Sequence, residues 1–285
     1  MKFKKFAQYC AGFAAAFTLA VALTGCGGSA KQIAVPSDAT NEARALLLLE
    51  EQGIITLTEG AGLAATKNDI VENPYGVEIV ETEAASLPRV AADVDLAVIN
   101  GNYAIGAGLD PSTALASEDG ASAAADEFGN VIAVRAGDGD TAKTAALLAA
   151  LQSREVQEFI VSTYDGAVTA VFEAGAAGDV AQAEGDDTTI KVGASPAPHA
   201  EILAQVKDVL AAKGWTLEVV EFTDYVQPNV ALSEGDLDAN YFQHQPYLDD
   251  YNVQNGTDLV GVAKIHFEPL SVYPGKSASI DALKN

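Results

Sequence analysis

Apolar runs that alternate with helical patterns constrain the fold of this 285-residue chain more than any other feature. The runs predict buried strands at residues 32–35, 77–82, 94–100, 130–135, 189–194 and 217–222. The helical patterns cover residues 41–53, 86–92, 141–151, 154–163 and 198–213. Strand–helix–strand order of this kind is typical of parallel α/β units. Because the order occurs in both halves of the chain, we predict an α/β protein with two lobes.

An internal similarity supports this duplication. Residues 77–91 align with residues 217–231 with six identities in fifteen positions, and after a shift of one residue Asp95-Leu96 aligns with Asp236-Leu237. Two lobes of like topology are the simplest interpretation. Independent convergence on a common β–α–β pattern is the alternative.

The N-terminal residues have the features of a targeting segment. Three lysines precede an apolar stretch at residues 11–23, and the sequence Leu-Thr-Gly-Cys ends at Cys26. This resembles the lipobox of bacterial lipoproteins, so we predict a signal peptide at residues 1–25, lipidation of Cys26 and a tether at residues 26–31. Since Cys10 would be removed, the mature chain would hold one thiol and no disulfide or cysteine-based metal site. It would be held at a membrane surface without spanning it.

Charge and missing motifs exclude several function classes. The formal net charge is -24, from 16 basic and 40 acidic residues, and this charge repels nucleic acid. The chain contains no P-loop, dinucleotide-binding glycine turn, G-x-S-x-G or H-E-x-x-H motif. We therefore expect no nucleic-acid partner, no cofactor and no enzymatic reaction.

One stretch concentrates candidate binding residues. Residues 236–248 read D-L-D-A-N-Y-F-Q-H-Q-P-Y-L and follow a helix-stop signal, S-E-G. Leu237 and Ala239 suit a buried strand, so residues 241–244 are predicted at its carboxyl end. Ligands bind at that edge in open α/β sheets. The alternative is an aromatic patch that closes a core.

Six stretches resemble the NlpA-type methionine-binding lipoproteins, the substrate-binding components of methionine ABC importers. They are I-K-V-G-A-S-P-A-P-H-A-E-I-L at residues 190–203, F-T-D-Y-V-Q-P-N at 222–229, D-A-N-Y-F-Q-H-Q-P-Y-L at 238–248, F-E-P-L-S-V-Y at 267–273, A-V-P-S-D-A-T-N-E-A-R at 34–44 and A-V-I-N-G-N-Y-A at 97–104. The resemblance implies a two-lobe periplasmic-binding-protein-like fold of type II with the ligand cleft between the lobes. It also implies capture of L-methionine, delivery to an ABC importer permease, and a lipid-anchored position on the extracytoplasmic side of the cell membrane.

The order of these stretches departs from the family. There the piece at residues 190–203 follows the lipid anchor, whereas here the family's middle comes first and S-I-D-A-L-K-N closes the chain. The chain therefore resembles a circular permutant, which is tolerable when the old ends are exposed and close together. The expected organisation is lobe one at residues 32–101 plus 279–285, lobe two at 102–271, a flexible linker at 173–188 that joins the family's usual termini, and a hinge crossover at 272–278.

The resemblance and the chemistry of a free amino acid together suggest a ligand-binding set. Arg44 stands at the family position that binds the carboxylate, for which a guanidinium offers two parallel donors. Amides and a carboxylate would meet the polar end, and aromatic rings would pack against the thioether sulfur. The full set is Asn41, Arg44, Asn100, Tyr103, Tyr225, Tyr241, Phe242, His244, Glu268 and Tyr273. For each residue an ordinary role remains the alternative, as an exposed arginine or carboxylate, a turn-capping amide or a core aromatic.

Three rival functions remain open. A roomier pocket would accept short methionine-containing peptides or related amino acids. A zinc-binding importer lipoprotein would use His199, His244, His266 and Glu268, although His266 and Glu268 would face one side of a strand without other ligands nearby. Hydrolysis by Ser195 and His199 is disfavoured because no nucleophile elbow surrounds the serine.

Overall fold

The computed structural model describes residues 30–120, 126–175 and 178–284. Its strands are β1 (Gln32–Pro36), β2 (Thr56–Leu57), β3 (Ile70–Glu72), β4 (Glu78–Thr82), β5 (Leu96–Ile99), β6 (Ala116–Ser117), β7 (Asn130–Val134), β8 (Thr169–Ala170), β9 (Thr189–Ala194), β10 (Thr216–Glu221), β11 (Ala239–His244), β12 (Val260–Phe267) and β13 (Ser271–Pro274). Its α-helices are α1 (Ala39–Glu51), α2 (Leu87–Val90), α3 (Gly101–Gly106), α4 (Ala142–Leu151), α5 (Arg154–Tyr164), α6 (Glu201–Gln205), α7 (Lys207–Ala211), α8 (Gln227–Glu234) and α9 (Gln245–Asn255). Short 3-10 turns include Ala84–Ser86, Ala91–Asp93 and Ile280–Lys284.

Two sheets of like topology form two lobes. The first sheet has the order β4-β1-β5-β13-β6, and the second has the order β10-β9-β11-β7-β12-β8. In each sheet three parallel strands are followed by an antiparallel strand, which is β13 in lobe one and β7 in lobe two. This arrangement confirms the predicted two-lobe α/β fold.

The predicted duplication is correct, but its register is not. Asp95 precedes β5, and its backbone N–H and one carboxylate oxygen exchange hydrogen bonds with the backbone of Gln32. Asp238 precedes β11 and makes the same pair of hydrogen bonds with Lys191. The structural equivalent of Asp95 is therefore Asp238 and not Asp236, because the turn before the third strand of lobe two is longer.

The lobe boundaries differ from the prediction in two places. Strand β13 pairs with β5, and β6 pairs with β13, so residues 116–117 and 271–274 lie in the sheet of lobe one. The expected crossover at residues 272–278 is therefore wrong for its first three residues. Within the described residues, the chain passes between the lobes after Ser117 and again after Phe267. Strand β13 was not predicted, because it pairs with strands far away in the sequence. A segment of four residues carries no local signal of such pairing.

Local signals explain why the helices at the lobe interface begin and end where they do. The Asp38 side chain caps α1 by accepting a hydrogen bond from the Asn41 backbone N–H at 3.0 Å. Gly235 ends α8 with a φ of 86°, which confirms the predicted helix stop. The helix predicted at residues 198–213 begins later, at Glu201 after an irregular turn at Pro196–Ala200, because Ala197 keeps an extended backbone before Pro198. It is divided at Val206 into α6 and α7.

The predicted linker is partly docked onto lobe two. Residues 178–188 form no helix or strand, yet the Ala183 N–H donates to the Lys213 carbonyl at 2.8 Å. The Trp215 indole N–H donates to the Ala181 carbonyl at 3.0 Å. These bonds hold this part of the linker against the end of α7. The chain's last segment, assigned to lobe one from the sequence, forms the 3-10 turn Ile280–Lys284, whose Leu283 is buried in the core of lobe one.

The predictions for the N-terminus fall outside the described residues. The signal peptide at residues 1–25, the lipidated Cys26 and most of the tether belong to this part of the chain. In the ranges that the structure does describe, no helix combines the length and apolar character that crossing a bilayer requires.

Candidate functional site

A small cavity lies between the two lobes, where the carboxyl ends of β1 and β5 face β11 and β7. Its volume is about 20 Å³, which is room for about one water molecule. It is lined by Asn41, Arg44, Asn100, Gly101, Asn102, Asn130, Tyr225, Phe242, Gln243, His244, Tyr247 and Glu268. A larger ligand enters only if the lobes or the lining side chains move apart.

Asn41 orients two other residues at the cavity. Its Oδ1 accepts a hydrogen bond from Asn100 Nδ2 at 2.8 Å and lies 3.3 Å from His244 Nε2. Its own Nδ2 donates to Asp38 at 2.8 Å. Because Oδ1 already has two partners and Nδ2 already donates to Asp38, Asn41 mainly holds Asn100 and the opposite lobe in place.

Asn100 presents an unpaired acceptor. It follows β5 at the N-cap position of α3, yet its side chain makes no capping bond. Its Oδ1 is buried and has no hydrogen-bond partner within the described ranges. A buried unpaired acceptor costs about 1–3 kcal/mol, so this oxygen is suited to a ligand that donates a hydrogen bond.

Arg44 does not offer the two free parallel donors that the sequence predicted for its guanidinium. Its Nε and Nη2 donate to the two carboxylate oxygens of Glu118 at 2.6 and 2.5 Å, and Nη2 also donates to the Glu268 carbonyl at 3.2 Å. The guanidinium lies 4.3 Å from the centre of the Phe128 ring. These contacts leave Nη1 as the nitrogen available to the cavity. The prediction missed Glu118 because it enters from the first crossover, 74 residues away in sequence.

Glu268 lies beside two buried histidines. Its Oε1 is 3.8 Å from His266 Nε2 and 4.0 Å from His199 Nε2, while its Oε2 has no hydrogen-bond partner among the described residues. Burial raises the pKa of Glu268 to about 7 and lowers the pKa of both histidines to about 3. The imidazoles are therefore neutral at physiological pH. The expectation that His266 and Glu268 have no further ligand nearby is wrong, since the turn before α6 brings in His199.

Three aromatic rings form the apolar wall of the cavity. The Phe242 ring centre lies 5.9 Å from that of Tyr225 and 6.0 Å from that of Tyr247. The Tyr225 hydroxyl donates to Asn102 Oδ1 at 2.6 Å, which ties this wall to lobe one. Rings at such distances make favourable tilted and edge contacts and leave edges free for a thioether sulfur.

Strand alternation separates the aromatics of β11. Phe242 and His244 line the cavity, whereas Tyr241 lies in the core of lobe two and hydrogen-bonds to His266 Nδ1. Successive side chains of a strand point to opposite faces, so Tyr241 and Phe242 diverge. An irregularity in the pairing with β7 between Tyr241 and Gln243 interrupts this alternation, and Gln243 also lines the cavity. Residues 241–244 lie at the carboxyl end of their strand, as predicted, and all four belong to β11 itself.

His244 connects the lobes. Its Nδ1 accepts a hydrogen bond from the Tyr247 N–H at 3.3 Å and caps α9, which leaves Nε2 to donate to Asn41. Burial, together with the charge of Arg44, lowers the pKa of His244 well below its usual value. The neutral ring with its proton on Nε2 satisfies both contacts.

The structure thus brings together seven of the predicted residues, namely Asn41, Arg44, Asn100, Tyr225, Phe242, His244 and Glu268. It places three elsewhere. Tyr241 is in the core of lobe two, and Tyr273 packs within lobe one. Tyr103 stacks on the outer side of Tyr225 at 4.9 Å and donates to the Thr223 carbonyl.

Sequence reasoning missed four polar or aromatic lining residues: Asn102, Asn130, Gln243 and Tyr247. Asn102, Gln243 and Tyr247 stand within stretches already noted for their composition, so a signal existed for them. Asn130 begins a buried strand and carries no comparable local signal. Gln243 also joins a buried amide network with Asn229 and Asn240, which fixes α8 against β11.

The fold thus has two α/β lobes with polar and aromatic side chains converging between them. The chain belongs to the NlpA lipoprotein family, whose family model matches residues 28–172 and 190–285. The segment between the two matches corresponds to the predicted linker.

Individual relatives match over shorter stretches. The membrane lipoprotein TpN32 of Treponema pallidum is 46% identical over 135 residues, which cover 47% of this chain and 49% of that protein. The D-methionine-binding lipoprotein MetQ of Escherichia coli is 41% identical over 138 residues, with 47% and 49% covered. Among solved structures, a nutrient binding protein from Burkholderia cenocepacia bound to methionine has 44% sequence identity to this chain. The match covers 50% of this chain and 59% of that chain, with a TM-score of 0.45. The chain thus spans about half the length of the curated relatives it matches.

Proposed function

We propose that this protein captures L-methionine between its lobes and delivers it to an ABC importer. The observation that carries the proposal is one cavity in which the Arg44 guanidinium, the unpaired buried acceptors of Asn100 and Glu268, and a wall of aromatic rings face each other. A zwitterion with an apolar side chain requires these three kinds of partner.

The polar end of the ligand matches the unpaired atoms. An ammonium group donates three hydrogen bonds, and Asn100 Oδ1 and Glu268 Oε2 are buried acceptors without partners among the described residues. A carboxylate accepts from Arg44 Nη1, the guanidinium nitrogen that Glu118 leaves unused. Each charge-assisted bond of this kind contributes about 1.5–3 kcal/mol.

The side chain of methionine matches the aromatic wall. Tyr225, Phe242 and Tyr247 surround one side of the cavity with ring edges. Sulfur–aromatic contacts contribute about 0.3–1.5 kcal/mol each. The wall therefore favours a thioether over an alkyl chain of the same length.

Entry of the ligand requires the lobes to separate, since the cavity of about 20 Å³ is smaller than an amino acid. Two crossovers connect the lobes, and Arg44 contacts both of them through Glu118 and Glu268. Opening by rotation about these crossovers would break the His244–Asn41 and Tyr225–Asn102 hydrogen bonds. Closure would then report ligand capture to a permease.

The names of relatives support the same ligand and location. MetQ of Escherichia coli is a D-methionine-binding lipoprotein, and the Burkholderia cenocepacia protein was seen bound to methionine. We further propose that Cys26 carries the lipid anchor on the extracytoplasmic side of the membrane. The circularly permuted order is proposed as well, and the family match in two blocks on either side of residues 173–189 supports it.

Isothermal titration with L-methionine, D-methionine, norleucine, alanine and glycyl-methionine tests the ligand. We expect L-methionine to bind most tightly and norleucine to bind about 2- to 12-fold more weakly, as one sulfur–aromatic contact predicts. Tighter binding of the dipeptide, or equal binding of alanine and methionine, would contradict the proposal.

A variant pair tests the site. Asn100→Ala should weaken methionine binding about 10- to 150-fold, which corresponds to one hydrogen bond to a charged group. Asn68→Ala, which changes an exposed asparagine far from the cavity, is the matched control and should bind like the wild type. Equal affinities of the two variants would place the ligand elsewhere.

A further inference from the structure

A second cluster of ligand-type atoms lies directly behind the cavity. His199 comes from the turn before α6, whereas His266 and Glu268 lie at the end of β12 and just after it, and one nitrogen or oxygen of each residue lies within 4.8 Å of the others. Both imidazoles are fully buried, and Glu268 is 6% exposed. The cluster shares only Glu268 with the set that meets the amino acid, and it uses the Oε1 atom and not Oε2.

Hydrogen bonds between the two imidazoles and the carboxylate do not account for this arrangement. The Nε2 atoms of His266 and His199 lie 3.8 and 4.0 Å from Glu268 Oε1, which exceeds the 2.7–3.2 Å of an N–H···O bond. His266 Nε2 is buried and has no hydrogen-bond partner in the described part of the chain. A buried nitrogen without a partner is costly, so an additional atom between these groups would stabilise the cluster.

The donor set suits a divalent transition metal. Two imidazoles and one carboxylate form a known zinc ligand combination that leaves a fourth position for water. At bond lengths of about 2.0–2.1 Å, tetrahedral ligands lie about 3.3–3.4 Å apart. The two separations of 3.8 and 4.0 Å between imidazole and carboxylate therefore need a contraction of roughly half an ångström to close around an ion. The two imidazole nitrogens, which lie within 4.8 Å of each other, would also have to approach.

The surroundings are also those of a metal site. His266 Nδ1 hydrogen-bonds to the Tyr241 hydroxyl, which directs Nε2 toward Glu268. Metal-ligating histidines usually hold their second nitrogen in this way. His199 Nε2 contacts Asn130 Oδ1 at 2.9 Å, and this contact would be given up on coordination. Both Asn130 and Glu268 line the cavity, which supplies an entry route and space for the water ligand.

We propose that His199, His266 and Glu268 bind one divalent ion of the zinc class, with water as the fourth ligand. Neither imidazole lines the cavity, and the ion would be bound without an amino acid; Glu268 would serve both ligands, each through a different carboxylate oxygen. The site also explains why Tyr241 is directed into the core, since its hydroxyl orients one of the ligands.

The test is a titration of the full chain with Zn²⁺ by calorimetry and with Co²⁺ by visible absorption, in the absence of methionine. The chain carries Cys10→Ser and Cys26→Ser, so that no thiol competes for the ion. We expect one equivalent to bind, with the intense visible bands of tetrahedral cobalt and no thiolate charge-transfer band. His199→Gln and His266→Gln should each weaken binding more than 100-fold, beyond the roughly 10- to 100-fold typical of a lost supporting contact.

Two further variants keep the result interpretable. His244→Gln removes the remaining histidine of the chain and should leave metal affinity unchanged. Tyr241→Phe keeps the core volume and should weaken binding about 10- to 100-fold, which gives a readout even if a ligand variant fails to fold. The proposal is overturned if the wild type binds no ion, or if His244→Gln reduces binding as much as His266→Gln does. Methionine affinity, measured separately, remains a test of the proposed function alone.

Discussion

The Arg44–Glu118 pair offers the sharpest test of how the lobes are held together. Its side chains are 5% and 9% exposed, so both charges are largely removed from water. Replacement of Arg44 by Met keeps much of the side-chain volume but leaves the Glu118 carboxylate buried beside one backbone donor, the Leu270 N–H. We expect this variant to lose about 3–5 kcal/mol of free energy of unfolding.

The structure also predicts how the loss can be reversed. Three guanidinium hydrogen bonds disappear in Arg44→Met, and the stacking on Phe128 with them. The greater part of the cost comes from the charge that remains on Glu118. In the double variant Arg44→Met, Glu118→Gln that charge is gone, and the new amide oxygen can still accept from Leu270 N–H. We expect the double variant to lose about 1–2 kcal/mol.

Urea unfolding followed by far-UV circular dichroism measures these free energies. Fluorescence of Trp215, the single tryptophan, reports on lobe two and shows whether both lobes unfold together. Arg154→Met, at an exposed position of α5, is the control and should stay within about 0.5 kcal/mol of the wild type. The reasoning fails if Arg44→Met loses less than about 1 kcal/mol, or if the double variant is no more stable than Arg44→Met.

Three other predictions concern Asp95, Gly101 and Phe242. Burial alone would raise the pKa of Asp95, but hydrogen bonds from Gln32 N–H, Ser277 and Lys31 outweigh it and lower that pKa. The lowered pKa stabilises the folded state above the unfolded pKa of about 3.9, and this stabilisation is lost as pH falls further. The difference in free energy of unfolding between wild type and Asp95→Asn should therefore shrink below about pH 4. A constant difference from about pH 7 to about pH 2.5 would contradict this. Gly101→Ala should lower the free energy of unfolding by about 1–3 kcal/mol, because an added Cβ would lie 2.8 Å from the Glu268 Cβ. The control is Gly106→Ala in the same helix, whose Cβ would meet no atom within 4 Å and which should be neutral or stabilising. Equal melting temperatures of the two variants would refute the close approach. Phe242→Leu should bring the methionine-to-norleucine affinity ratio close to one, and an unchanged ratio in calorimetry would show that sulfur contacts another wall.

Much of the site was predictable where local patterns and family resemblance coincide. Asp38 capping α1, the apolar strand β1 before it and the helix stop at Gly235 are all determined within a few residues. Such signals placed the start of α1 directly after a buried strand, where an α/β sheet binds ligands, and the family resemblance singled out Arg44 there. The composition of residues 236–248 placed Phe242 at the carboxyl end of β11, in the sheet of the other lobe.

Contacts across the crossovers were not predictable. Three features depend on residues far apart in the chain: the pairing of Arg44 with Glu118, the position of His199 beside Glu268, and strand β13. Alternation also assigned Tyr241 and Phe242 to opposite faces of β11, which a list of aromatic residues cannot do before the strand and its orientation are known.

By itself, the amino-acid sequence determined the α/β class, the two lobes and the residues that begin and end most helices, because periodicity and capping act between near neighbours. The tertiary structure decided which polar atoms are already paired and which remain free. Arg44 Nε and Nη2 are already paired with Glu118, whereas Asn100 Oδ1 and His266 Nε2 are buried without a partner among the described residues. That distinction depends on desolvation and on atoms brought together from distant segments, and neither is present in a chain before it folds.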